Sequence, residues 1–212
     1  MIDNFELIKP LFYFNEANNM FFHCQIVQRA KDHKPNKVKE GAINTYLIRS
    51  REHLDRLRDE IILLCEHYKA RAYINVAGKD FHAVNKCMLV KLAEYTYIEN
   101  MASVNPKKIL NSTLGEIKSR CPKWIVDIDD MSCKNAVLDW LNNYFKNVMS
   151  YKEKEYTNFF IYADIPTVQG CHLITIPFDL LKFKSAFPNV DVHKNSMGTL
   201  LYYPKSLKSL EK

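Results

Sequence analysis

The chain has 212 residues, of which 47% are hydrophobic and 25% are charged, with a formal net charge of +6. This length and composition are typical of one large domain or of two small lobes that share a core, and they exclude a fibre, a long repeat array and a mostly disordered chain. The positive charge suits a polyanionic partner but is also common in proteins that have none.

The apolar runs are short, and none approaches the roughly 20 residues that a helix needs to cross a bilayer. The first six residues include two acids, whereas a secretory signal has a basic segment followed by an apolar one. The six cysteines form no C-x-x-C pair and no disulfide framework. We therefore expect a cytoplasmic protein with reduced cysteines and no membrane partner.

Glycine is scarce, with only Gly41, Gly78, Gly115, Gly170 and Gly198 in the whole chain. A P-loop, a G-x-G-x-x-G turn and a G-x-S-x-G elbow each need at least two closely spaced glycines. The sequence therefore excludes P-loop NTPases, dinucleotide-binding dehydrogenases and α/β-hydrolases.

The first half of the chain alternates predicted strands and helices. An early strand at 20–27 is followed by a strand at 46–48 and a helix that Ser50 caps. A further strand at 71–76 stops before a glycine, and Asp80 can cap the helix that follows. These two β-α units predict an N-terminal α/β lobe over residues 1–105.

Residues 29–45, between the first two of these strands, are basic and polar and include Lys34 and Lys37 near a proline. The composition favours a solvated loop. A flap that faces nucleic acid stays open as the alternative.

Residues 105–123 hold two prolines and an Asn-Ser-Thr turn, so we expect the boundary between lobes there. After it the pattern predicts a strand at 124–129, a helix through Val137 and Phe145, strands at 158–163 and 171–176, a short helix at 178–187, a strand start at 189–192 and a last strand at 199–203. The Lys-rich tail beyond residue 204 is expected to fray. Together these elements predict an α/β (α+β) fold whose C-terminal lobe, 106–205, is a mostly antiparallel sheet with helices on one face.

The strongest local motif is Asp127-Ile128-Asp129 at the end of an apolar strand. Side chains two residues apart on a strand point to the same face, so the two carboxylates converge. Paired carboxylates repel unless a cation lies between them, and hard oxygen ligands suit Mg²⁺ or Mn²⁺. The alternative is an acidic strand-to-helix turn in which Asp130 or Ser132 caps the next helix.

The second motif is Gly170-Cys171-His172 at the start of an apolar strand. A glycine lets backbone approach a ligand closely, and a neutral imidazole can donate a hydrogen bond to a phosphate oxygen. His172 can equally be a structural donor that is satisfied within the protein.

A third motif surrounds Asp191, which ends a β-rich stretch and can supply another metal ligand, with Lys194 or Asn195 near phosphates. An ordinary hairpin turn explains this stretch as well.

The order of these motifs resembles the archaeo-eukaryotic primase superfamily, and is most similar to its small bacterial and mobile-element members, including the polymerase domain of DNA ligase D. The features that carry the resemblance, over about residues 124–204, are the D-x-D strand, the G-x-H-x-x-x-x-P strand from Gly170 to Pro177, and the spacing of Asp191, Asn195, Thr199 and Pro204. The resemblance implies one primase-like catalytic domain over residues 1–212, with an RRM-like (RNA-recognition-motif-like) core and a metal site between the lobes.

By this resemblance the chain is a nucleotidyltransferase that uses Mg²⁺ or Mn²⁺, nucleoside triphosphates and single-stranded or primed nucleic acid, with a helicase or another replication protein as a further partner. Asp127, Asp129 and Asp191 would be the catalytic metal ligands. His172 would contact the triphosphate, with Gly170, Lys194 and Asn195 as further nucleotide-binding residues. Candidate template contacts are Arg49, Arg51, Lys34 and Lys37.

The chain departs from the family pattern at two points. Gly170 stands where the family commonly has Ser or Thr, so backbone N–H groups would have to replace one side-chain contact to phosphate. The zinc-binding cysteine cluster that many relatives use to start a strand is absent, which favours strand extension or a helper role over independent priming. A metal-dependent nuclease would also use clustered acids and a histidine. A non-catalytic RRM-like module would instead stack bases on strand aromatics, for which the candidates are Phe160, Tyr162 and Tyr202.

Overall fold

The computed structural model of the chain describes residues 1–14, 19–33, 40–98, 105–119, 121–148, 160–194 and 198–208. The strands are β1 (Ile2–Asp3), β2 (Met20–Gln28), β3 (Gly41–Ile48), β4 (Arg71–Ile74), β5 (Lys79–Asp80), β6 (Trp124–Ile128), β7 (Ile161–Pro166), β8 (Cys171–Thr175), β9 (Asp191–His193) and β10 (Thr199–Tyr203). The α-helices are α1 (Phe5–Ile8), α2 (Arg51–Tyr68), α3 (Phe81–Ile98), α4 (Pro106–Glu116), α5 (Lys134–Val148), α6 (Leu180–Ala186) and α7 (Lys205–Lys208). The strands form two antiparallel sheets, so the predicted α+β class is confirmed.

The first sheet has the strand order β1-β10-β4-β2-β3, with β5 paired to one end of β2. Its long central strand, β2, pairs with three other strands. Helix α2 packs on this sheet through Leu54, Ile61 and Cys65. The predicted caps are present, because Ser50 Oγ accepts a hydrogen bond from His53 N at 3.0 Å and Asp80 Oδ1 accepts one from Ala83 N at 3.1 Å.

The second sheet is built from one continuous stretch in the order β6-α5-β7-β8-α6-β9, and its strands lie in the order β7-β8-β6-β9. This is the split β-α-β topology of ferredoxin-like folds. Alternate residues of β6 enter different cores: Val126 and Ile128 pack with α5 and α6, and Ile125 joins the core of the first sheet. The sheet is antiparallel as predicted, but the last predicted strand, β10, belongs to the first sheet.

The two sheets are joined by their cores and by the ends of the chain. Ile125 and Ile174 of the second sheet belong to the same buried cluster as Ile26 and Ile74 of the first. The Asn4 amide donates to the carbonyl of Pro166 on β7 at 2.9 Å and to that of Leu200 on β10 at 2.8 Å. Strand β10 follows the second sheet in sequence but pairs in the first, so the sheets are not separated by a single cut in the chain.

Three local predictions need correction. Within residues 105–123 a turn was expected at Asn-Ser-Thr, but these three residues lie inside α4, which packs against α3. The prolines and polar residues misled the prediction, because Asn105 is an N-cap that accepts hydrogen bonds from two backbone amides and Pro106 occupies the first turn, where its missing N–H costs nothing.

The second correction is that the predicted loop at 29–45 ends earlier, since β3 begins at Gly41. The third concerns the tail, where α7 is ordered against the body of the protein. Glu66 of α2 accepts hydrogen bonds from the amides of Lys205 and Ser206, at 2.9 and 3.2 Å, and Leu207 is buried.

All six cysteines carry free thiols. Within the described ranges, none of the helices combines the length and the apolar character required to span a bilayer.

Candidate active site

Strand register places the three predicted motifs in one row of the second sheet. Asp127 on β6 lies directly opposite His172 on β8 and directly opposite Asp191 on β9. Directly opposed residues of an antiparallel pair point to the same face. Asp129 follows β6 two residues after Asp127, and both carboxylates line the same two cavities.

Asp127 is held by two histidines. His172 Nε2 lies 3.3 Å from one carboxylate oxygen, and His193 Nε2 lies 3.7 Å from the other. The hydrogen bond from His172 lowers the pKa of the Asp127 carboxyl, partly opposed by burial, and the charge of both histidines adds to the effect. Asp127 is therefore an ionised carboxylate at neutral pH, and sequence reasoning did not single out His193 as its neighbour.

His172 connects the two sheets. Its Nδ1 lies 3.0 Å from the hydroxyl of Thr199 on β10, and both side chains are buried. The tautomer with Nε2–H donating to Asp127 and Nδ1 accepting from the Thr199 hydroxyl satisfies both contacts. Both ring nitrogens thus have protein partners, and His172 orients Asp127 in addition to any contact with a ligand.

A cleft of about 410 Å³ opens between the two sheets. Asp127, Asp129 and His172 line it from the second sheet. The opposite wall comes from the first sheet and the segments that follow β2 and precede β3. It includes Gln25, Val27, Arg29, Lys31, Glu40, Arg71 and Tyr73. The cleft therefore sets carboxylates against a wall with three cations and one acid.

The cations of this wall are held in different ways. Arg71 is buried, donates from Nε to Asp32 Oδ2 at 2.6 Å, and lies over the ring of Tyr203 at 4.9 Å. Its charge is therefore largely balanced within the protein. Arg29 donates to the Tyr73 hydroxyl at 3.1 Å. Arg71 and Tyr73 were missed because a single cation in an apolar strand gives no sign of which cavity it reaches.

A second cavity, of about 340 Å³, lies on the other side of the two carboxylates. Asp127 and Asp129 line it together with Asp130, Cys133 and Asp191. Asp191 is exposed and its carboxylate lies 3.3 Å from the ammonium of Lys184. Asp130 caps the turn before α5 by accepting a hydrogen bond from Ser132 N at 2.9 Å. The alternative explanation of the acidic motif as a helix cap therefore accounts for Asp130 but not for Asp127 or Asp129.

Gly170 is required by the protein's own backbone. A Cβ at this position would lie 1.8 Å from the carbonyl oxygen of Ile128 and 3.0 Å from Cα of Asp129. The β7–β8 turn is closed by the Gly170 amide, which donates to Thr167 Oγ1 at 3.0 Å. The close approach that the sequence suggested therefore occurs between this turn and the end of β6, where it fixes the backbone of Asp129.

The other predicted contacts lie away from the cleft or outside the described residues. The Lys194 ammonium lies 4.9 Å from the centre of the Trp124 ring. Arg49 stacks on Phe81 at 4.6 Å, and Arg51 donates to the carbonyl of Phe12 at 3.1 Å. None of these three basic residues lines either cavity beside Asp127. The structure does not describe Lys34, Lys37 and Asn195.

The metal-binding capacity of the site rests on its oxygen donors. Among the described residues, no three His, Cys, Asp or Glu side chains lie close enough together to hold a metal ion. Asp127 and Asp129 are the pair whose carboxylates fit a hard divalent cation. Asp191 lies in the same row, but its carboxylate is turned to Lys184.

Comparison of the chain with protein-family models, with curated proteins and with solved structures found no match. The similarity to the primase superfamily therefore stays an interpretation of the motifs, and a ferredoxin-like topology by itself supports many unrelated functions.

Proposed function

We propose that the protein is a metal-dependent nucleotidyltransferase that adds nucleotides to a nucleic-acid strand, as primase-polymerases do. The observation that carries the proposal is a cleft lined by Asp127, Asp129 and His172 on one side and by Arg29, Lys31 and Arg71 on the other. A nucleoside triphosphate with a divalent cation has this charge pattern, because its metal seeks carboxylates and its phosphates seek arginine and lysine.

In this proposal Asp127 and Asp129 hold the cation, and Asp191 joins them when its carboxylate leaves Lys184. The chemistry that Mg²⁺ or Mn²⁺ supplies in such a site is activation of the attacking hydroxyl and neutralisation of the leaving pyrophosphate. The strand's 3′-oxygen forms a bond to the α-phosphorus, the bond from that phosphorus to pyrophosphate breaks, and the hydroxyl proton passes to solvent.

The protein's own groups position and neutralise the reactants. Ionised Asp127 keeps its orientation because His172 and His193 contact its two oxygens. Arg29 and Lys31 stand on the opposite wall, within the same cleft as the carboxylates, and would contact phosphate oxygens. The second cavity, beyond Asp127 and Asp129, would receive the end of the growing strand.

The aromatic side chains give less support to a purely binding function. Tyr202 is 2% exposed and donates to Glu66 at 3.0 Å, and Phe160 stacks on Phe145 in a hydrophobic cluster. Tyr162 is the most exposed of the three, at 42%, and the ammonium of Lys123 lies over its ring at 5.4 Å from the ring centre. A base-stacking platform of the RRM kind needs several exposed rings.

The test is incorporation of labelled nucleoside triphosphates on primed and unprimed single-stranded templates, with Mn²⁺ or Mg²⁺, by wild type and Asp127→Ala. We expect extension of the primed template by wild type and none by the variant, and the unprimed template separates priming from extension. Folded wild type that binds single strands without extending them would contradict the proposal in favour of a binding module. Degradation of the template would favour a nuclease.

The partners that follow from this proposal are nucleoside triphosphates, single-stranded or primed nucleic acid and a helicase or other replication protein, in the cytoplasm.

A further inference from the structure

A separate polar cavity of about 240 Å³ lies on the first sheet beneath α4. We call it the Lys79 pocket. Its lining consists of His23, Gln25, Asn75, Lys79, Asn111, Leu114 and Gly115. Gln25 also lines the cleft, so the pocket and the cleft are neighbours.

Lys79 places a charge inside the protein. Its side chain is 1% exposed, and its ammonium donates to the carbonyl of Ile117, just beyond α4, at 2.6 Å. Burial lowers the pKa of Lys79 to about 8, so the ammonium form still predominates at neutral pH. The charge of this ammonium beside a cavity favours an anion there.

His23 gives the second observation. Its Nε2 is buried and, among the described residues, has no hydrogen-bond partner. Burial, followed by the charge of Lys79, lowers the pKa of His23 to about 4, so the ring is neutral at pH 7. A buried ring nitrogen beside a polar cavity calls for a partner inside that cavity.

The remaining polar lining is uncharged. The amides of Gln25, Asn75 and Asn111 complete the walls, and no carboxylate is among the residues that line the pocket. Amide N–H groups, an imidazole N–H and an ammonium are all donors to anionic oxygen.

We propose that the Lys79 pocket binds a small oxyanion, with Lys79 supplying the charge and His23 a hydrogen bond from Nε2–H. The volume is far above that of one water and admits a tetrahedral phosphate-like group or a short carboxylate. The proposal stands apart from the nucleotidyl-transfer function, because none of its charged residues lines the cleft.

The test is titration of the full chain with sodium sulfate and with sodium acetate at constant ionic strength, by calorimetry and by NMR of the histidine ring protons. Sulfate keeps its charge between pH 6 and 9.5, so the pH dependence reports the protein alone. We expect one saturable site for at least one of the two anions, together with a shift of the ring signal that His23→Phe removes. The acetate arm separates a preference for planar carboxylates from one for tetrahedral anions.

The ionisable groups that line the pocket are Lys79 on β5 and His23 on β2, while α4 contributes Asn111, Leu114 and Gly115. Affinity for the anion should therefore fall as the pH rises above about 8, where Lys79 loses its proton. Lys79→Met should weaken binding about tenfold or more, because a charge-assisted hydrogen bond is lost. Lys86→Met, which removes an exposed charge on α3, should leave it unchanged.

Where Lys79→Met does not fold, His23→Phe decides, because it fills the pocket without removing the buried charge. Two results would overturn the proposal: no saturable binding of either anion to wild type, which means that water alone occupies the pocket, or unchanged binding in folded His23→Phe.

Discussion

The two sheets present their side chains to the cleft by different means. On the second sheet, Asp127 and His172 are aligned by backbone hydrogen bonds between β6 and β8. On the first sheet, Arg71 and Arg29 are held by side-chain contacts with Asp32 and Tyr73. The second-sheet side of the cleft, with Asp127 and Asp129, is the acidic wall, and strand register positions it. The first-sheet side, with Arg29, Lys31 and Arg71, is the cationic wall, in which an ion pair and a tyrosine hydroxyl hold the two arginines.

Because of this difference, substitutions in the acidic wall should mainly reduce activity, whereas substitutions of buried cations in the cationic wall should mainly reduce stability. Replacing an acid of the second sheet leaves the backbone ladder that positions it intact. Replacing a buried cation of the first sheet leaves its partner buried and unpaired, which is strongly destabilising. The substitutions below test the distinction, beginning with the largest expected effect.

Asp127→Asn should reduce nucleotide incorporation to background while the protein stays folded. The amide keeps the shape of the side chain but removes the charge that a divalent cation requires. Primer extension measures the activity, and circular dichroism measures the fold.

The matched control is Asp139→Asn, which removes an exposed charge from α5. This variant should extend primers as well as the wild-type protein does. Full activity in Asp127→Asn would contradict the assignment of the acidic wall.

The acidic wall was accessible to sequence reasoning because its signals are local. The alternation of Asp127 and Asp129 around a buried Ile128 is visible at the end of a five-residue strand, and the order of elements from β6 to β9 follows from apolar runs.

The cationic wall was not accessible in this way, because its contacts join distant parts of the chain. Arg71 meets Asp32 across 39 positions, and Thr199 reaches His172 only because β10 crosses back into the first sheet. Helix α4 was missed for another reason: its Asn and Pro are cap residues that resemble loop residues when no partner is known.

Arg71→Met should destabilise the protein by about 3 kcal/mol or more, because it leaves Asp32 buried without its ion pair. Urea unfolding measures the free energy. Arg58→Met is the matched control, since Arg58 pairs with Asp3 at 2.7 Å near the surface, and such pairs contribute at most about 1 kcal/mol. Equal losses in the two variants would show that the buried pair has no special role in the first sheet.

The first sheet should also be the more sensitive to mild acid. His23 has its pKa lowered to about 4, against about 6.5 for an unfolded histidine. Between these values the unfolded state binds more protons, so the free energy of unfolding rises with pH and is fully restored above about 6.5. The predicted difference across this window is about 3 kcal/mol.

His23→Phe should flatten this slope, and His67→Gln, on the exposed side of α2, should retain it. Asp127 changes stability in the same direction as His23, because both pKa values are lowered in the folded state, but it does so in a more acidic window. Because the pKa of Asp127 is lowered, its ionised carboxylate adds to the free energy of unfolding above about pH 3.9. This stabilisation is lost as the pH falls through the lower pKa of the folded state. A slope that persists between pH 4 and 6.5 in His23→Phe would contradict the assignment.

Gly170→Ala should cost about 1–3 kcal/mol, the usual range for forcing atoms into a packed site. The new Cβ would have to displace the Ile128 carbonyl or the β7–β8 turn. Because Asp129 directly follows Ile128 and is a proposed metal ligand, a shift of this backbone should reduce primer extension as well. Gly41→Ala is the control, since no atom lies within 4 Å of its Cβ position, and we expect a change within about 1 kcal/mol. Full stability and activity in Gly170→Ala would show that this turn does not fix the end of β6.

Thr199→Val should have the smallest effect on stability, about 1 kcal/mol, because it removes one buried hydrogen bond without changing the side-chain shape.

The distinctive consequence of Thr199→Val concerns the His172 ring. Without the Thr199 hydroxyl, Nδ1 loses its donor, while the Asp127 carboxylate still accepts from Nε2–H. Nitrogen NMR of the His172 ring should therefore show a shifted Nδ1 signal in Thr199→Val, where this hydrogen bond is lost, and an unchanged one in Thr199→Ser, which keeps the hydroxyl. An unchanged ring in both variants would mean that Asp127 alone orients His172, and that the contact between the sheets is incidental to the site.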